Sequence, residues 1–201
     1  RCFAAMWIAG LFTMIQPCFS AVDFINDIMP LLSRLGCNGS SCHGKADGQN
    51  GFNLSVFGHD PDGDFLALTK ESRGRRISPA VPADSLLLRK ITGEVGHGGG
   101  MRAAKGSRAY IILHDWIKGG TAFEIMDRPV LVKVRLEPVR EVVKFGAKRQ
   151  LKVFAEYSDG TKRDVTWLSV FHSNDTGMAT VAENGLITIG DTVGQTSVMT
   201  Q

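Results

Sequence analysis

The 201-residue sequence predicts a multidomain protein, an all-α domain followed by an all-β sandwich. Three observations carry that reading. Up to about residue 126 the apolar side chains recur at helical spacing in short patches divided by Gly-rich loops. From residue 127 they alternate with polar ones in runs of about four to eight residues, the period of a strand with one buried face. The single dense Cys/His motif, Cys37-Asn-Gly-Ser-Ser-Cys42-His43, sits just after the first helical patch.

Residues 1–21 read as a signal peptide. An apolar stretch from Cys2 to Ile15 is too short to span a bilayer and is followed by Gln16-Pro17 and by small residues at Ser20 and Ala21, where cleavage is expected. The chain begins with Arg1 rather than Met, so part of the positively charged start is expected to be missing. Cleavage removes Cys2 and Cys18 and leaves Cys37 and Cys42 in an exported, periplasmic protein with no membrane span.

The first domain, residues 22–126, opens with Asp23 as N-cap of a helix. Phe24, Ile25, Ile28, Leu31, Leu32 and Leu35 form its apolar stripe, Pro30 kinks it and Gly36 ends it. A second helix is predicted over Ser85–Ile91 and a third from Ser107 through Tyr110, Leu113, Trp116 and Ile117 to Gly119-Gly120. Helices this short leave too small a core for about a hundred residues, so a bound apolar group is expected to complete it.

Two thiols followed at once by an imidazole are what covalent haem attachment requires. Cys37 and Cys42 would form the thioethers and His43 would bind the iron from the proximal side. The usual spacing places two residues between the cysteines, whereas four stand here. A Cys37–Cys42 disulfide and half of a zinc site are the competing readings. The cluster Arg73-Gly-Arg75-Arg76 reads as a solvated face, or as a source of an Arg for a haem propionate.

Residues 22 to 123 resemble the small cytochrome c domain at the front of large exported planctomycete-type proteins. The likeness rests on Val22-Asp-Phe, on the Cys motif followed by Gly44, and on Gly51-Phe-Asn-Leu-Ser-Val-Phe-Gly58. It continues through Asp60-Pro61, Gly74-Arg75-Arg76, Pro82-Ala-Asp-Ser-Leu-Leu-Leu88, His97-Gly-Gly-Gly100 and Trp116-Ile-Lys-Gly-Gly120. The resemblance implies a cytochrome c-like haem domain of helices around one covalently bound haem c. Related domains offer a Met-Pro-Pro segment before the last helix as the sixth ligand. Here Gly96-His97-Gly-Gly-Gly-Met101 stands in its place, so His97 is the expected distal iron ligand, with Met101 the alternative. His59, His114 and His172 are expected to be structural or surface residues.

In residues 127–201, strands are predicted over Val130–Leu136, Leu151–Tyr157, Val165–Phe171 and Leu186–Ile189, with turns at Asp159-Gly160 and Asn184-Gly185. That spacing fits an immunoglobulin-like sandwich. Gln150-Leu-Lys-Val-Phe-Ala-Glu-Tyr-Ser-Asp-Gly-Thr161, Arg163-Asp-Val-Thr166, Ser173-Asn-Asp175 and Asn184-Gly-Leu186 resemble the bacterial Ig-like group 2 domain. The chain stops within the last expected strand, so this domain is expected to be truncated and the chain to be the N-terminal piece of a larger protein.

A net charge of +3, with acids and bases interspersed, gives no footprint for nucleic acid. No nucleophile–base grouping, phosphate loop or paired carboxylate motif is present for side-chain catalysis. The expectation is an exported single-electron carrier serving a redox partner protein or a downstream domain of the same polypeptide. The competing classes are a haem peroxidase or gas sensor with an open distal site, and an adhesion or carbohydrate-contacting module stapled by a disulfide.

Overall fold

The computed structural model describes residues 22–123 and 126–201. The expected signal peptide, with Cys2 and Cys18, lies outside the described residues. Asp23 caps the first turn by accepting from the Asn26 amide at 2.6 Å. A π-turn over Phe24–Ile28 then runs into α1 (Met29–Arg34). Pro30 has no N–H for an α-helical bond and its ring crowds the preceding turn, so the ladder ahead of it relaxes to wider spacing. The expected kink is therefore absorbed as a π-turn.

α2 (Pro61–Thr69) has no counterpart among the expected helices. Asp60 caps it by accepting from the Gly63 amide at 3.1 Å, Pro61 supplies the preset φ of a first helical residue, and Asp62 and Asp64 lie in its first turn. α3 (Leu86–Ile91) and α4 (Arg108–Lys118) match the expected second and third helices. Ser107 caps α4 through a 3.3 Å bond from the Tyr110 amide.

The expectation of an all-α cytochrome c-like haem domain is overturned. Helix makes up 28% and strand 19% of the described residues, and the first half is a set of small helices joined by irregular loops. Chain reversals stop the helices from lengthening. Gly36, Gly58, Gly74 and Gly93 take left-handed φ, and so do Asn50, Phe57, Ser72 and Arg73, which an α-helix cannot contain.

In the second half, β1 (Leu131–Glu137), β3 (Lys152–Tyr157) and β4 (Lys162–Asp164) form one antiparallel sheet in the order β1-β3-β4. β2 (Lys148–Gln150), β7 (Leu186–Ile189) and β6 (Ala179–Val181) form a second, ordered β2-β7-β6, and β5 (Phe171–Ser173) pairs with β8 (Val198–Thr200). The hairpin turns at Asp159-Gly160 and Asn184-Gly185 stand where expected, with φ of +82° and +80° at their glycines. The expected strand over Val165–Phe171 is corrected: Thr166–Leu168 is a 3-10 turn, because the Asp164 carboxylate accepts from both the amide and the hydroxyl of Thr166. These short antiparallel strands are compatible with an Ig-like sandwich.

The principal core is in the first half. Phe24, fully buried, has its ring 5.3 Å from Phe65, 5.4 Å from Trp116 and 5.6 Å from Phe123. Leu168, from the β half, belongs to the same apolar cluster, with Val165 and Trp167 packed against it. Polar contacts reinforce this junction. Arg128 donates to Asp23 at 2.7 Å, Asn26 donates to the Pro129 carbonyl at 2.8 Å, Arg163 pairs with Asp27, and the Arg108 guanidinium lies 3.8 Å over the Trp167 ring. Among the described residues no helix is long and apolar enough to cross a membrane.

Two predictions follow from the shared core. Phe24→Ala should cost about 3–5 kcal/mol by chemical denaturation, since three aromatic partners lose their contact. Leu168→Ala should lower the unfolding midpoint of both halves together by calorimetry. Two separate transitions, with only the β half shifted, would show that the halves fold independently.

Candidate functional site

The site begins where α1 stops. Gly36 adopts φ +72°, its amide donates to the Ser33 carbonyl at 2.9 Å and the Cys37 amide donates to Leu32 at 2.9 Å, the paired bonds of a Schellman cap. Cys37 thus leaves the helix against the core rather than into solvent. Residues 38–41 coil on themselves: the Cys42 amide donates to Gly39 at 2.9 Å, and that of His43 to Cys37 at 3.0 Å. This tight coil takes up the unusual four-residue spacing and brings Cys42-His43 back beside Cys37. Gly44 is required here, because a Cβ would meet the Asn38 carbonyl oxygen at 2.1 Å.

Among the described residues Cys37 and Cys42 are not joined to each other, so the Cys37–Cys42 disulfide reading finds no support. Burial pushes the Cys37 thiol up to about 12, against the pull of Arg102. With nothing bound beside it, Cys37 is therefore held as the neutral thiol.

The His43 imidazole is oriented by backbone. Its Nδ1 lies 3.0 Å from the Phe52 carbonyl oxygen, and the Leu54 amide donates back to the His43 carbonyl at 2.8 Å. A carbonyl can only accept, so Nδ1 carries the proton and Nε2 keeps the free lone pair. Burial lowers the His43 pKa, which keeps that lone pair available into mildly acidic solution. The Phe52 carbonyl is held in turn by a tight reversal at Gln49–Phe52. The Arg76 side chain is buried, donates to the Ala67 and Gly51 carbonyls at 2.7 Å each, and lies 4.4 Å over the Phe52 ring.

His97 is presented from the opposite wall by the loop after α3. Arg102 and Ala103 both donate their amides to the Ile91 carbonyl, at 2.7 and 3.0 Å, closing the loop at its base. Nδ1 of His97 is 2.8 Å from the Gly100 carbonyl, which again leaves Nε2 free. The two imidazoles stand with centroids 6.4 Å apart and planes within 9° of parallel. The parallel rings thus border one space, and the hydrogen bonds at Nδ1 leave the Nε2 of each without a protein partner among the described residues.

Both rings line a cavity of about 870 Å³ together with Cys37 and Cys42, a volume suited to a cofactor-sized ligand. Leu32, Phe52, Leu86, Leu87 and Ile91 make its apolar walls, and Arg75, Arg76, Lys90 and Arg102 add positive charge without a carboxylate among the lining residues. Among the described residues no three His, Cys, Asp or Glu side chains gather into a metal site, which disfavours the closed tetrahedral zinc reading.

Cys37, Cys42, His43 and His97 all line this one cavity. Met101 is 67% exposed and does not line the cavity. Of the Arg cluster, Arg75 lines the cavity from an exposed position, whereas Arg76 is committed to carbonyls. His59 and His172 are exposed, and His114 on α4 lies 3.1 Å from Asp115. Sequence reasoning missed Phe52, Lys90 and Arg102, and it named Arg76 only within a cluster read as a solvated face or a source of an Arg for a propionate. Only the Gly51-Phe52 and Arg75-Arg76 motifs hinted at Phe52 and Arg76, and neither says which atom is used. No protein-family model and no curated protein sequence matches this chain.

The unequal roles of neighbouring arginines are testable by denaturation. Arg76→Met should destabilise the protein by about 2–4 kcal/mol, because buried carbonyls lose their donor. Arg75→Ala should stay within about 0.5 kcal/mol. Equal effects would mean that Arg76 is not the buried tie.

Proposed function

We propose that this chain is an exported mono-haem c module for single-electron transfer, with the β half as spacer or docking domain. Cys37 and Cys42 are the attachment thiols, His43 the proximal ligand and His97 the distal one. The observation that carries this reading is the pair of carbonyl-oriented imidazoles, 6.4 Å apart, lining one apolar cavity with two free thiols. When bound, the haem supplies a one-electron couple at iron, and bis-imidazole ligation gives it a lower potential than Met/His ligation does.

The side chains divide the remaining work. Cys37 and Cys42 would hold the group covalently, each by addition of its S–H across a vinyl group, with the thiol hydrogen going to the adjoining vinyl carbon. Nδ1–H bonds to the Phe52 and Gly100 carbonyls set ring orientation and strengthen each Nε2 as a donor. Leu32, Leu86, Leu87 and Ile91 keep water from the centre. Arg75 and Arg102, without a carboxylate partner among the described residues, would receive the propionates. With His43 and His97 both committed to the group, it would keep no vacant position for small-molecule chemistry, and the module would pass electrons to a partner protein or to another domain of its polypeptide.

Expression with a haem c maturation system should give one haem per chain that survives denaturing electrophoresis and acid acetone extraction. Release of the haem, or failure to acquire it, would overturn the proposal. In the loaded protein His97→Ala should convert a six-coordinate low-spin spectrum to a high-spin one that binds carbon monoxide, while Met101→Ala should leave the spectrum unchanged. A loaded wild type that is already high-spin and binds carbon monoxide would transfer the assignment to a gas- or peroxide-binding site.

A further inference from the structure

Building on the proposed distal ligation, we infer that Lys90 is the positioning residue for His97, acting through the Gly96 carbonyl. The loop carrying His97 contains Gly93, Gly96, Gly98, Gly99 and Gly100, so its backbone is among the most costly in the chain to order. An imidazole on such a loop meets a metal reliably only if the loop is tied. Two side chains outside the loop tie it. Lys105 pairs with Glu94 at 2.9 Å, an exposed ion pair of the kind worth little in water and placed three residues before the ligand. Lys90, on α3, donates from Nζ to the carbonyl of Gly96, the peptide that leads directly into His97.

The Lys90 tie has three properties that the other lacks. It is a charge-assisted bond to a neutral acceptor, and Lys90 takes part in no ion pair among the described residues. Its stem stands beside Ile91, whose carbonyl receives the Arg102 and Ala103 amides, so the loop is pinned to one turn of α3 both at its base and next to His97. Lys90 also lines the cavity itself, which couples the tie to the wall the ligand must face. At the far side of the loop Gly99 leaves space for the ring: a Cβ there would lie 3.0 Å from His97 Cε1 and 3.3 Å from Arg102 Nη2. The distal imidazole is held by a lysine on one side and accommodated by a missing side chain on the other.

The test uses the haem-loaded full chain. Lys90→Met keeps the aliphatic stem and removes the donor. It should give a mixed-spin ferric spectrum and speed carbon monoxide binding by about two- to fivefold, the factor expected from losing one solvent-exposed hydrogen bond. Lys90→Arg should restore the low-spin spectrum. Because a guanidinium stays protonated and does not ligate iron, that rescue also separates positioning from direct ligation by the lysine. Lys105→Met should leave spin state and binding rate unchanged. If Lys90→Met misassembles, Lys90→Gln, which keeps a shorter donor, takes its place and should be intermediate.

Low-spin Lys90→Met protein with unaltered carbon monoxide kinetics, beside a high-spin His97→Ala protein, overturns the role of Lys90 and leaves the ligation standing. Failure of Lys90→Arg to restore the spectrum also overturns it. A His97→Ala protein that remains low-spin removes the distal ligand and this inference with it.

Discussion

Two backbone carbonyls, those of Phe52 and Gly100, govern the arrangement of everything around the cavity. Each accepts from a histidine Nδ1, and each therefore decides which nitrogen of His43 or His97 keeps its lone pair and how its ring is turned. An imidazole on an exposed loop would otherwise rotate among several rotamers. Here a hydrogen bond of ordinary strength converts ring orientation into a property of the main chain. The Phe52 carbonyl accepts from the Gln49 amide at 2.8 Å, beside the Gly51 carbonyl that the buried Arg76 guanidinium ties to that of Ala67; the Gly100 carbonyl lies in the loop that closes onto Ile91.

This dependence explains how a half made of short helices and loops maintains a defined site. Regular structure satisfies few of its backbone groups, so buried polar side chains do it instead. Arg76 is one. Asp64 is another: its carboxylate accepts from the amide and hydroxyl of Ser55 at 2.6 and 2.8 Å and ties that loop to α2, although burial raises its pKa. Such devices are costly unless every bond is made, and they act only in one geometry. The aromatic cluster around Phe24 and the contacts of Trp167 and Leu168 with α1 and α4 supply the apolar mass that these loops lack.

Legibility followed the range of the interactions concerned. α4 announces itself through Ser107, its apolar stripe and Gly119, all within one helix length. The hairpins at Asp159-Gly160 and Asn184-Gly185 are equally local. α2 is not legible from Asp60-Pro61 alone, although that is a sound helix start, because its apolar residues do not form a single stripe. Residues 165–171 have strand-like alternation, yet the Asp164–Thr166 bonds curl them into a 3-10 turn, a case of side-chain chemistry overriding period. The all-α expectation failed for a related reason. Helical spacing shows where helices start, but the left-handed residues that end them early, Asn50, Phe57, Ser72 and Arg73 among them, have no distinctive composition.

By itself the sequence determined the components of the site: two thiols and an imidazole in near contiguity, and a second imidazole in a Gly-rich loop more than fifty residues away. Contiguity is a covalent fact, so Cys37, Cys42 and His43 had to lie close together in any fold. Tertiary structure decided the remainder. It chose His97 over Met101 for the cavity, set the 6.4 Å separation of the rings, and turned Arg76 inward while leaving Arg75 at the rim. It also let Lys90 reach the peptide before His97. Each of these outcomes rests on which carbonyl or which helix face a side chain meets across the chain reversal, and that depends on packing between segments whose local sequences carry no record of one another.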